Sequence, residues 1–80
     1  MQTDQKYLTL IKLGLSIQYY RKLRNISQEA LAEKANISIS VVGRIEAPNM
    51  FSNPTMISII SIANALDVSL KTLFDFRDDN

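Results

Sequence analysis

Residues 27–46 read S-Q-E-A-L-A-E-K-A-N-I-S-I-S-V-V-G-R-I-E. Ser27 and Ser38 each stand just ahead of an apolar pattern with helical spacing: Leu31, Ala32 and Ala35 after the first, Val41, Val42 and Ile45 after the second. A serine in that place caps a helix, because its hydroxyl accepts from a backbone N–H that has no partner inside the first turn. Between the two patterns sits Asn36, a residue type that enters the left-handed conformation more readily than most. Ile37 is then placed to plug the corner. The stretch predicts two short helices, 28–35 and 39–46, joined by three residues, which is the outline of a helix-turn-helix. The spacing gives each position a task. The small Ala32 lets the helices cross closely, and Ile37, Val42 and Ile45 are core plugs that set the crossing angle.

On either side the apolar residues also recur at three and four rather than two, so no strand is expected. Helices are predicted at about 4–24, 54–66 and 70–75, making a single five-helix, all-α domain over residues 1–80. The first helix carries a stripe of Leu10, Leu13, Ile17, Tyr20 and Arg24, with Gly14 beside it to permit close approach. Pro54 suits a first helical turn, which makes Asn53 the expected cap of the fourth helix. Its inner face is read as Met56, Ile59, Ile60, Ala63 and Leu66. Ser69 is expected to cap the fifth helix, with Leu70, Leu73 and Phe74 inward, and residues 77–80 to fray. The first helix has a second apolar face, Leu8, Ile11, Leu15 and Tyr19, with Leu23 at its margin. A helix apolar on both sides is buried on both sides or adhesive. The candidates to cover it are a second subunit or the segment holding Phe74 and Phe76.

Composition narrows the chemistry. Among 80 residues there is no cysteine and no histidine, so no disulfide or thiolate metal site supports the fold, and the commonest general base is missing. The two glycines stand 29 residues apart, and no phosphate-cradling loop is present. Neither a catalytic site, a metal site nor a cofactor is expected. The start of the chain lacks the basic-then-apolar pattern of a secretory leader, and no apolar run has the ~18 residues of a membrane span. The cytoplasm is the expected location. Net charge is only +1, but it is unevenly spread. Residues 5–46 hold seven basic side chains (Lys6, Lys12, Arg21, Lys22, Arg24, Lys34, Arg44) against Glu29, Glu33 and Glu46, while residues 47–66 are uncharged and residues 67–80 are net acidic.

The chain resembles the Xre/Cro-type family of helix-turn-helix regulators. The resemblance runs through L-G-L-S-I-Q-Y-Y-R-K-L-R-N-I-S-Q-E-A-L-A-E-K-A (residues 13–35), R-I-E (44–46), N-P-T-M (53–56) and I-A-N-A-L-D-V-S-L-K-T-L-F (62–74). It implies a lambda-repressor-like domain that binds double-stranded DNA, with the third helix in the major groove and the start of the second against the backbone. Carried over by position, Gln28 falls where the family places a phosphate or base contact. Ser38, Ile39, Ser40, Gly43 and Arg44 fall on or beside the reading helix, and Lys34 is a candidate phosphate contact. Arg21 and Glu46 match a pair that in the family bridges the first helix to the end of the third.

Three departures stand out. Asn36 replaces the usual turn glycine. The loop A-P-N-M-F-S-N (residues 47–53) is long and lacks the basic residues that grip phosphate, which implies weaker binding and a shallower salt dependence. The reading helix is sparse: Ile39 can meet a thymine methyl but cannot hydrogen-bond a base, Ser40 is nearly indifferent, and Gly43 costs a helix interior ~1 kcal/mol relative to alanine. The leading expectation is a sequence-specific transcriptional regulator that binds a palindrome as a homodimer. The alternative is a protein-interaction or antitoxin-like module with the same fold and weak DNA affinity, using the Leu8–Leu15–Tyr19 face and Phe74 and Phe76 to meet a protein partner.

Overall fold

The structure, a computed structural model, describes residues 5–48 and 53–76. The expected frayed tail, the middle of the long loop and the first residues of the chain lie outside them. Five helices follow in order: α1 (Gln5–Leu23), α2 (Gln28–Ala35), α3 (Ile39–Glu46), α4 (Met56–Leu66) and α5 (Leu70–Leu73). No strand occurs among the described residues. The fold class is the all-α bundle expected. α1 packs against α3, and α2 packs against both α3 and α4. Leu13, Ile17, Leu31, Val42, Ile62, Leu66 and Leu73 are fully buried where these helices meet.

Three of the five described C-terminal helix ends are built by one device. Asn25, Asn36 and Asp67 all take left-handed backbone, with φ of 59°, 58° and 58°. In each case the residue's own N–H and the next one reach back to carbonyls of the last turn. Asn36 N–H goes to Glu33 O (3.2 Å) and Ile37 N–H to Ala32 O (3.0 Å). Asn25 and Ile26 do the same to Lys22 and Arg21, and Asp67 and Val68 to Asn64 and Ala63. This doubly bonded end satisfies carbonyls that the helix itself leaves open. The apolar residue that follows, Ile26, Ile37 or Val68, packs on the core. Then comes a serine cap: Ser27 accepts from Ala30 N–H, Ser38 from Val41 and Ser69 from Thr72. N-I-S, N-I-S and D-V-S are thus the same corner used three times.

α4 corrects two expectations. It begins at Met56, and its cap is Thr55, whose hydroxyl accepts from Ser58 N–H at 3.1 Å, so Asn53 is not the cap and Pro54 lies outside the helix. Threonine two residues closer to the apolar run competes better, because the cap must sit directly before the first helical residue. The buried face is Ile59, Ile62, Ala63 and Leu66, while Met56 and Ile60 are exposed. The segment M-I-S-I-I-S-I-A-N-A-L is apolar on nearly every side, so its spacing alone does not select a face. α1 ends at Leu23 rather than 24, and α5 is a single turn ending at Leu73, short of the expected 75. Phe74 lies outside that turn and is exposed.

On α1, Leu13 and Ile17 are buried and Leu10 and Tyr20 half-buried. Gly14 is required: a side-chain carbon there would run into the carbonyl oxygen of Ile45. The bare backbone lets α1 lie directly on the end of α3. At the other side of the bundle, Ser16 Oγ donates to Leu73 O at 2.7 Å, tying α1 to α5. Phe76 shares a groove with Leu15 and Tyr19, so the C-terminal segment meets the second apolar face of α1. Leu15 and Tyr19 nevertheless stay exposed, whereas Leu8 and Ile11 are half-buried.

Candidate nucleic-acid interface

The orientation of α3 is set by one buried charge cluster. Arg21, near the end of α1, donates from Nε to Glu46 Oε2 at 2.8 Å and from Nη2 to Glu46 Oε1 at 3.0 Å. The paired fork fixes both distance and plane, as a single contact would not. Arg21 also donates from Nη1 to the carbonyl of Ile26 at 2.9 Å, in the corner before α2. Glu46 is the last residue of α3 and is almost completely buried. Its Oε1 accepts a further hydrogen bond, 2.9 Å, from Gln28 Nε2 at the start of α2. One carboxylate therefore holds together the end of α1, the start of α2 and the end of α3. The hydrogen bonds it donates to Glu46 push the Arg21 pKa up; burial opposes them, and the attraction of the Glu46 charge adds to the rise. Among the described residues, no buried side-chain polar atom lacks a partner.

The cluster leaves the opposite face of α3 to solvent. Ile39, Ser40 and Arg44 are exposed and Gly43 is half-exposed. Ser38 is also exposed, but its hydroxyl is occupied in capping. Gln28 sits at the edge of this face. Because Glu46 can only accept, the amide nitrogen of Gln28 must point to it, and its Oε1 lies on the side of Gly43, 3.9 Å from where a side chain on residue 43 would begin. Structure thus brings Gln28, Gly43, Arg44 and Glu46 into one neighbourhood. It places Lys34 elsewhere, lining a depression shared with Ser61, Asn64 and Asp67 at the far end of α4.

Arg24 has a role that sequence reading missed. It is not in the core stripe of α1. Its Nε donates to Leu66 O at 2.8 Å and its Nη2 to Asp67 O at 3.3 Å. Those carbonyls form the C-terminal end of α4, which has no basic residue in its own last turn. A cation there offsets the partial negative charge of the helix end. The signal in the sequence was the absence of any charge from residues 47–66, which left α4 to be completed by another element.

No helix among the described residues is long and apolar enough to cross a membrane. No group of three or more acidic residues converges among them in a way that could hold a metal ion.

The helix-turn-helix family profile matches residues 17–73. Two HTH-type transcriptional regulators named SinR are similar over 67 residues, that of Bacillus licheniformis at 36% identity and that of Bacillus subtilis at 38%. Each alignment covers 84% of this chain and 60% of the relative, so the chain spans less than two thirds of the length of the curated relatives it matches. Among solved structures, the restriction-modification controller protein C.AhdI from Aeromonas hydrophila superposes with a TM-score of 0.74 at 31% identity, covering 80% of this chain and 94% of that one. A point variant of the controller protein C.Esp1396I gives a TM-score of 0.77 at 28% identity, over 94% of this chain and 87% of that one. The profile match covers both helices of the motif, the buried Arg21–Glu46 pair and most of the core. This chain belongs to the Xre/Cro-type helix-turn-helix family.

Proposed function

We propose that the chain is a sequence-specific DNA-binding transcriptional regulator that places α3 in the major groove as a homodimer on a palindromic site. The observation that carries this reading is the division of α3 into two faces. One face is locked by Glu46 to Arg21 and Gln28, and the other presents Ile39, Ser40 and Arg44 to solvent. A reading helix needs both, since base contacts are made only if the helix cannot rotate or slide against its support. The similarity to transcriptional regulators and to restriction-modification controllers supports the same reading. The chain acts by occupying DNA, without catalysis or a cofactor. Two-fold pairing places the two α3 helices about one helical turn apart, ~34–36 Å.

Selection of duplexes from a randomised 30-base-pair library, followed by a gel shift of the winners, tests this. The expected result is an inverted repeat with half-sites spaced by about one turn. Binding should show a shallow salt dependence, because Arg21 and Arg24 are engaged within the fold and only a few basic groups remain near α3. No enrichment and no shift at low salt would count against the reading. The exposed Leu15, Tyr19 and Ile57 favour a second reading, a protein-interaction module; that outcome would pair an absent shift with a stable complex between this chain and a protein.

A further inference from the structure

We infer that Gly43 is the point at which α3 comes closest to DNA, and that the absence of a side chain there determines binding. This rests on the DNA-binding reading above. The fold itself has no need for glycine at this position. No glycine among the described residues has positive φ, so residue 43 is in ordinary helical backbone. A side-chain carbon built there would have one near neighbour, Gln28 Oε1 at 3.9 Å, which is an ordinary contact. Gly14 is the opposite case, since backbone from α3 fills the space its side chain would need. A glycine inside a helix is unfavourable relative to alanine. At residue 43 nothing among the described residues compensates, which points to compensation from outside the fold.

The surroundings indicate what approaches. Ile39, one turn earlier on the same face, is 45% exposed and supplies an apolar edge. On the other side stands the Gln28 carbonyl oxygen, turned toward Gly43 because Glu46 claims the amide nitrogen. Between them lies bare helix backbone, with Arg44 exposed beside it. A base edge seated here finds matched chemistry: a thymine methyl packs on Ile39, and the exocyclic amino group of adenine or cytosine donates to Gln28 Oε1. A methyl group on residue 43 would stand in the space both contacts share.

Gly43→Ala separates this role from folding, because alanine is the better helix former. The variant is expected to melt about 4–8 °C higher than wild type. Its affinity for a duplex selected by the wild-type chain from the randomised library is expected to fall at least about tenfold, the size of one good base contact. Gly43→Ala binding that duplex within twofold of wild type overturns the inference while leaving the DNA-binding reading in place. A lower melting temperature overturns it too, since residue 43 would then serve the interior. If the wild-type chain selects no duplex at all, the DNA-binding reading fails first and this inference with it.

Discussion

Arg21 is the residue with most of the architecture resting on it. Arg21 is 9% exposed and its partner Glu46 2%, so neither charge has recourse to water if the other is removed. Glu46→Gln keeps the volume but leaves a buried arginine without its counter-charge, and is expected to lower unfolding free energy by roughly 3–5 kcal/mol. Urea titration followed by far-ultraviolet circular dichroism reads the effect. A loss of under 1 kcal/mol would mean that water reaches the pair. The raised Arg21 pKa means that its contribution is complete throughout the range below arginine's ordinary value and is lost only as pH climbs through the higher folded-state value. Around neutrality the arginine side of the pair is therefore insensitive to pH. The two glycines make the same contrast between inside and outside. Gly14 is required because Ile45 backbone lies against it, while among the described residues only the Gln28 side-chain oxygen comes near where a side chain on Gly43 would begin.

At the scale of elements, the repeated corner explains which helix ends are readable. Ser27, Ser38 and Ser69 could be identified as caps from sequence because each follows an apolar plug and precedes a helical pattern, and the structure uses all three. At the start of α4, Pro54 points to Asn53 as the cap, whereas the cap is Thr55, directly before the first helical residue. The two residues can be told apart experimentally. Thr55→Ala is expected to cost about 1 kcal/mol, the usual worth of a cap, and Asn53→Ala a few tenths at most. Paired thermal melts check this; equal losses in both variants would return the cap to Asn53. The buried face of α4 was harder still. With isoleucine at 57, 59, 60 and 62, the inward pair is decided by contact with α2, not by any local property of the helix. Ile57 is 77% exposed while Ile62 is fully buried, although the two are chemically identical. The candidate interface divides in the same way. The spacing of α2 and α3 was legible in the residues and the Arg21–Glu46 pair in the family resemblance, whereas the hydrogen bond from Gln28 to Glu46 depends on how α2 and α3 finally cross, and the reach of Arg24 to Leu66 on where α1 and α4 lie.

For the whole molecule, α4 stands apart as the helix without charge. Most exposed basic groups lie between α1 and α3, with Lys71 on α5, and α4 is uncharged with Met56, Ile57 and Ile60 outward. In a two-fold contact the same patch serves on both subunits, so an uncharged apolar face meets no like-charge repulsion there. The three corners have a further consequence, which concerns speed. Each closes through bonds between residues five or fewer positions apart, so a corner and its flanking turns can form before the chain has found its overall shape. The bonds that join distant parts, Arg21 to Glu46 across 25 residues and Arg24 to Leu66 across 42, have larger loops to close. Folding should therefore be fast and single-exponential, as in other chains dominated by local contacts. Asn36→Ala, which disturbs a corner, is expected mainly to slow refolding, and Arg21→Met mainly to hasten unfolding. Stopped-flow chevrons of the two variants would show it as a change in opposite limbs, and the reverse assignment would place the Arg21 cluster, not the corners, in the nucleus. On this view the sequence N-I-S is a clock setting as much as a turn: it fixes the order in which the parts of the bundle come to exist.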